Sequence, residues 1–265
     1  LVIAADDPGP HSSQTEQDSR LFAHFAKIPV FDPSSPREAK KMVGQAFELS
    51  EKFDTPVFLR TTTRVSHSKS VVRIEEPVKA VDRTEIRHLP HKYVMVPMNA
   101  RTRRVEVEKR TQAIREWAET FEGNRVEMGS PEVGIITAGM PYNYSKDAFP
   151  GYSYLKLGLV HPLPEKMIRE FASKVKKLYV VEELDPFIEE QIKAMGIEVT
   201  GKAVFPYTNE FDPGVVEKAI TGTSSAPAVT LQTIPPRPPN LCPGCPHRGL
   251  FYALNKTKAF VSGDI

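Results

Sequence analysis

LVIAADDPGPHSSQTEQDSRLFAHFAKIPVF, residues 1–31, begins and ends in short apolar runs with a helix-like pattern between them. Leu1 to Ala5 reads as a buried strand, broken at its carboxyl end by Asp6-Asp7-Pro8-Gly9-Pro10. Ser13-Gln14-Thr15-Glu16 has the form of a capping box, with Ser13 accepting from the N3 amide and Glu16 reaching back, which predicts a helix running through Lys27. Ile28 to Phe31 is then a second strand. The start signal recurs at Ser35-Pro36-Arg37-Glu38, with proline at N1, ahead of an apolar face of Ala39, Met42, Val43, Ala46, Phe47 and Leu49. Pro56 to Leu59 supplies a third strand. Strands and helices alternating at this spacing predict an α/β fold, a parallel sheet with helices on its faces. Ligands in such sheets gather beyond the carboxyl ends of the strands, which here is the loop from Asp6 to Gln17.

Further along, from Arg64 to Arg104, the periodicity fades and basic residues outnumber acidic ones; His67, His88 and His91 fall in this stretch. No Gly-rich turn accompanies the charges, so it reads as a solvated connection rather than a phosphate cradle. Val105 to Phe121 resumes helical spacing, with Trp117 as a packing residue. A second alternating segment follows, with strands at Val133–Ala138, Leu155–Val160 and Leu178–Val181 and a last one at Ile197–Thr200. Its helices start at Pro164, with Met167, Ile168, Phe171 and Val175 inward, and at Asp185-Pro186, read as an N-cap followed by proline.

Gross numbers restrict the class. The length of 265 residues fits roughly two domains with their own cores. A formal charge of +2 gives no global reason to bind nucleic acid or an anionic membrane. No run approaches the roughly 18 apolar residues of a membrane span, which points to a cytoplasmic protein. The start at Leu1 without Met, and the end at Val261-Ser262-Gly263-Asp264-Ile265 within a strand-like run, read as an internal piece of a longer chain.

Both cysteines, Cys242 and Cys245, stand at C-x-x-C spacing on a Pro-Gly turn, behind the proline-dense run from Pro235 to Asn240. Such a turn can aim two sulfurs at one metal, but a closed zinc or iron-sulfur site generally takes about four ligands. A thioredoxin-like redox pair would follow a strand within a βαβ unit instead of a proline spacer.

The string RPPNLCPGCPHRGLFYAL, together with DDPGPHSSQTEQDSR, TPVFLRTTTRVSHS, HKYVMVPMNAR, LKLGLVHPLPEKMIREFASKVKKLYVVEELDPFIEEQIKAMGIEVTGK and the terminal SGDI, resembles the large subunit of the indolepyruvate ferredoxin oxidoreductases, within the 2-oxoacid:ferredoxin oxidoreductase superfamily. The resemblance covers nearly the whole chain. It implies the latter half of a pyrimidine-binding thiamine domain over residues 1–75, a linker and helix over 76–125, a transketolase C-terminal-like α/β domain over 126–222, a Pro-rich linker over 223–240 and the start of a pyrophosphate-binding domain over 241–265. It implies thiamine diphosphate, Mg2+ and a [4Fe-4S] cluster as cofactors, all needing sequence beyond this stretch. The implied partners are a small (beta) subunit, ferredoxin, an aryl pyruvate and coenzyme A.

By the same resemblance Cys242 and Cys245 are two corners of the cluster. His11, Ser12, Ser13, Gln14, Glu16, Gln17 and Arg20 lie on the substrate side of the thiamine, where hydroxyls, amides and a helix N-terminus suit a 2-oxo acid carboxylate. Gly263 and Asp264 line the cofactor end rather than ligating magnesium, and Glu182 and Glu183 serve packing or partner contacts. The implied reaction adds the thiamine ylid to the keto carbon, releases carbon dioxide, passes two electrons singly to iron-sulfur centres and hands the acyl group to coenzyme A. The activating carboxylate is expected upstream of Leu1, so the stretch alone is expected to be silent. Two other readings stay open: a thiamine-dependent 2-oxo acid decarboxylase without a cluster, and a zinc- and RNA-binding interaction module.

Overall fold

The structure, a computed structural model, describes residues 1–11, 13–74, 76, 88–223, 235, 240–258 and 260–261. In chain order its elements are β1 (Val2–Asp6), α1 (Ser19–Ala26), β2 (Val30–Phe31), α2 (Pro36–Phe53), β3 (Phe58–Thr62), α3 (Thr63–His67), α4 (Pro90–Tyr93), α5 (Pro97–Ala118) and β4 (Arg125–Glu127). Then come β5 (Ser130–Ala138), α6 (Gly139–Ala148), β6 (Tyr152–Leu157), β7 (Leu159–His161), α7 (Glu165–Ala172), β8 (Lys177–Val181), α8 (Phe187–Ala194), α9 (Pro213–Thr221) and α10 (His247–Thr257). They fall into two compact units, Leu1–Ser225 and Ala226–Ile265.

Two four-stranded sheets build the first unit, with orders β1-β3-β2-β7 and β4-β6-β5-β8. The strands β1, β3 and β2 run parallel, as do β6, β5 and β8, so the alternation does produce parallel sheets. The expected single strand Leu155–Val160 is two. Around Gly158 the chain leaves one sheet for the other, and β7 joins β2 antiparallel. A Cβ at Gly158 would sit 2.7 Å from the Gly123 carbonyl oxygen, so this crossing requires a residue without a side chain. One apolar cluster accordingly mixes Ala23 and Val30 with Leu155, Leu157, Val160, Ile168, Phe171 and Ile188.

Several local expectations change. In β1, Val2 and Ile3 are 41% and 66% exposed, because the strand is an edge and not a buried centre. On α2, Met42, Ala46 and Leu49 are buried while Phe47 is exposed, since a 3.6-residue repeat carries position 47 round to solvent. The long helix α5 starts at Pro97, inside the stretch read as aperiodic, and its first three turns carry few apolar residues to reveal it. Trp117 stacks on Phe121 at 4.8 Å between centroids, the packing role expected of it. Ile197–Thr200 forms only an isolated bridge, from Thr200 to Tyr179. In the second unit α10 follows the cysteine turn directly.

Candidate functional site

Strand β1 ends in two buried carboxylates that tie down everything around them. Asp6 Oδ2 accepts from the Ser19 amide at 2.9 Å, the Ser19 hydroxyl at 3.0 Å and Arg60 Nε at 2.5 Å. Asp7 Oδ2 accepts from the Ser13 amide at 3.0 Å, its Oδ1 from the Thr63 hydroxyl, and its carbonyl from the Gln17 amide at 3.1 Å. The loop after β1 is therefore laced back onto the carboxyl ends of β1 and β3, where the sheet rule puts a ligand.

That lacing overturns the capping-box reading. Helix α1 begins at Ser19, and its cap is Asp18, whose carboxylate accepts from the Arg20 amide. Ser13 lies in the loop, and Glu16 reaches forward to the Asn209 amide at 2.5 Å. The first helical amides are already held by Asp6 and Asp18, two carboxylates, so this helix terminus offers no free anion site.

Arg20 is 2% exposed and fully engaged. Its guanidinium forks onto Asp18 at 2.8 and 2.5 Å, donates to Glu182 Oε2 at 2.7 Å and to the Glu183 carbonyl at 3.0 Å, and lies over the Phe187 ring at 5.1 Å. Burial works against ionisation of Asp18, yet the adjoining Arg20 charge outweighs it and holds the carboxyl at about 2. Glu182 in turn accepts from the Ile188 amide at 3.0 Å and the Glu189 amide at 2.9 Å, and so caps α8 in place of the expected Asp185. Its neighbour Glu183 accepts from the Phe211 amide at 2.9 Å, and burial pushes it up to about 7 against that hydrogen bond. The glutamates read as packing or partner groups are thus the inner wall of an ionic network. The pattern Glu-Glu at a strand end was the available signal.

Arg60 is the second cation of this network. Besides Asp6 it donates to Asp32 Oδ2 at 2.9 Å, while its NH2 nitrogen, Asp32 Oδ1 and Thr62 Oγ1 are buried without a partner among the described residues. Burial raises the Asp32 pKa despite Arg60. Gly139, at φ +56°, allows the approach, since a Cβ there would lie 2.7 Å from Asp32 Oδ1. Neither residue belongs to a sequence motif: Arg60 is a lone charge inside β3 and Asp32 a lone charge just past β2.

At the mouth, Glu210 gathers the loop. Its carboxylate takes Arg64 NH2 at 2.7 Å, with Arg64 Nε alongside, and lies 3.1 Å from His11 Nε2. Gln14 and Gln17 turn outward and are exposed, with no side-chain partner among the described residues. His11, Ser13, Gln14, Glu16 and Gln17 thus share one loop, Arg20 sits behind it, and Ser12, Gly263 and Asp264 lie outside the described residues.

Cys242 and Cys245 are free thiols, exposed and half-buried, on a turn closed by the Cys245 amide donating to the Cys242 carbonyl at 3.0 Å. Gly244 at φ +80° makes the turn, a conformation glycine adopts without strain. No group of three or more His, Cys, Asp or Glu able to hold a metal occurs among the described residues. The turn therefore fits half of a four-ligand site and not a whole one. No helix among the described residues is long and apolar enough to cross a membrane.

The fold has a counterpart among solved structures. A 2-oxoglutarate:ferredoxin oxidoreductase from Magnetococcus marinus, solved with 2-oxoglutarate, coenzyme A and succinyl-CoA bound, matches with a TM-score of 0.58 over 83% of this chain and 48% of that one, at 15% identity. The likeness is one of fold: the chain has the α/β architecture of that protein.

Sequence narrows the class. The chain is 40% identical, over 97% of its length, to the indolepyruvate oxidoreductase subunit IorA of Archaeoglobus fulgidus, and 38% identical over its whole length to IorA of Methanothermobacter thermautotrophicus. It resembles IorA from end to end while spanning 44% and 46% of those two relatives. No family model matches.

Proposed function

We propose that this chain is the part of an indolepyruvate oxidoreductase large subunit that walls the substrate side of a thiamine site. The observation that carries the reading is the similarity to IorA along the full chain, joined to a loop pinned at the carboxyl ends of parallel strands. Residues 1–75 are then the latter half of a pyrimidine-binding domain, 126–222 a transketolase C-terminal-like domain and 241–265 the opening of a pyrophosphate-binding domain. The partners are a small subunit, ferredoxin, an aryl pyruvate and coenzyme A, and the compartment is the cytoplasm.

What thiamine diphosphate supplies when bound is a carbanion and a sink for the electrons of decarboxylation. Besides the two cysteine thiolates, the share of the chemistry that the described residues carry is positioning. The Gln14 and Gln17 amides are exposed donors on this loop, and the His11 ring and the Arg64 guanidinium are held on Glu210. Those groups suit the carboxylate and keto oxygen of a 2-oxo acid. Behind them, the buried network of Asp6, Arg60, Asp18, Arg20 and Glu182 fixes the loop, and fixed dipoles need no reorganisation when substrate charge develops. Cys242 and Cys245 supply two thiolates to a cluster whose remaining ligands come from elsewhere.

The test is the complete large subunit purified anaerobically with its small subunit. Iron, sulfide and a brown visible absorption, with thiamine- and coenzyme A-dependent dye reduction by indolepyruvate, are expected. A colourless protein that decarboxylates without reducing a dye, or a zinc protein retained on RNA, would replace this reading.

A further inference from the structure

A cavity of about 770 Å³ opens beside the first turns of α2, lined by none of the residues of the loop after β1. Its volume falls in the range of roughly 300–1,000 Å³ typical of small-molecule and cofactor sites. Its charge is one-sided. Arg37, Lys40, Lys41, Arg73 and Arg125 line it against Glu38 and Glu122, in a chain whose total charge is only +2.

Both carboxylates are already committed. Glu38 accepts from buried Lys156 at 2.6 Å and from Arg125 at 3.0 Å; burial disfavours its charge, but Lys156 prevails and holds it at about 2. Glu122 pairs with Lys41 at 2.7 Å. Arg37 and Arg73 have no carboxylate partner among the described residues, and unpaired arginines converging on one concavity are the pattern that recognises phosphate. Arg125 is held in place, between Glu38 and Glu127 and over the Tyr142 ring at 5.1 Å.

An independent observation concerns Gly44, which stands inside α2 where glycine costs about 1 kcal/mol relative to alanine. Helix packing does not explain it: a Cβ at Gly44 would have nothing within 4 Å. Since Gly44 lines the cavity, the missing side chain keeps the wall open and lets a ligand approach the helix backbone.

We propose that this cavity binds a ligand carrying two or more phosphates, with Arg37 and Arg73 as its free cationic contacts and Gly44 as the open wall. Such a group could belong to free pyrophosphate, to a nucleoside diphosphate or to a nucleotide-bearing cosubstrate, and binding distinguishes them. The inference does not depend on the thiamine reading, because it is read by binding and not by turnover.

The experiment uses the complete thiamine-loaded oxidoreductase and isothermal titration with inorganic pyrophosphate, ADP and coenzyme A, at low and high salt. At least one is expected to bind in a salt-sensitive way and to weaken tenfold or more in both Arg37→Glu and Gly44→Leu. Gly44→Leu improves helix propensity, so its melting temperature should equal or exceed that of the parent and separate loss of binding from loss of fold. Equal binding of all three marks a bare phosphate site, ADP and coenzyme A together a nucleotide site, and coenzyme A alone a cosubstrate site. No binding of any of the three, or binding that both substitutions leave within twofold, overturns the proposal.

Discussion

Replacing Arg20 by glutamine removes the charge at the centre of the buried network while keeping most of the side chain's volume. The magnitude follows from its partners. Asp18 is displaced from 3.8 to about 2 in the folded protein, worth about 2 kcal/mol at neutral pH, and at 4% exposure its side chain is little screened by water. Glu182 loses the guanidinium at 2.7 Å as well, and breaking a buried pair from one side typically costs about 3–5 kcal/mol. We therefore expect Arg20→Gln to lower unfolding stability by about 3–5 kcal/mol in urea at pH 7. The sign with pH is fixed: a carboxyl held low in the fold stabilises above 3.8, and that contribution is lost as pH falls towards 2. In Arg20→Gln the Asp18 part of this acid limb should shrink, Arg60 at 4.0 Å being the one charge left to hold it down. A cycle with Asp18→Asn should return a coupling of about 2 kcal/mol. A loss below about 1 kcal/mol for Arg20→Gln, or additive single effects, would refute the assignment of Arg20 as the network's centre.

Five further substitutions probe other parts of the account. Gly139→Ala, at φ +56° and with its Cβ against Asp32, should lose about 2–3 kcal/mol in denaturant unfolding, from left-handed strain and displacement of Asp32 off Arg60. Burial, with His24 Nδ1 at 3.3 Å, drives the His161 pKa down from 6.5 to about 3. The unfolded chain then binds the extra proton between those values, so stability should fall as pH drops from 6.5 towards 3, and His161→Gln should flatten that slope in pH-dependent melting. Leu49→Ala should cost about 2–5 kcal/mol whereas Phe47→Ser should stay within about 0.5 kcal/mol, a contrast that thermal denaturation reads directly. Glu210→Gln weakens the hold on Arg64 and His11 and should speed amide exchange across residues 7–17 with little change in melting temperature.

The parallel sheets were legible because alternation of apolar runs with capped helices at short spacing has few other solutions. Ser35 caps α2, accepting from the Glu38 amide at 3.2 Å, and the pattern named it correctly. The same pattern misled at Ser13, because a pair of carboxylates at the end of β1 competes for the loop's amides and postpones the helix to Ser19. Gly158 hid the strand break, since a sheet switch inside a continuous apolar run leaves both halves apolar. The loop at the mouth of the site followed from the sheet rule alone. Its tether to Glu210 could not, because the two are some two hundred residues apart and the contact exists only in the fold. Arg60 and Asp32 were silent for a related reason: each alone is an ordinary charged residue, and only their burial together makes them a network.

Hydrogen exchange across residues 7–17 of the complete oxidoreductase, with and without indolepyruvate, addresses the proposed site most directly. Slower exchange in that loop on adding the 2-oxo acid, lost again in a Gln14→Ala, Gln17→Ala variant, is the expected result. Unchanged exchange there while another surface becomes protected would place the substrate elsewhere and contradict the account.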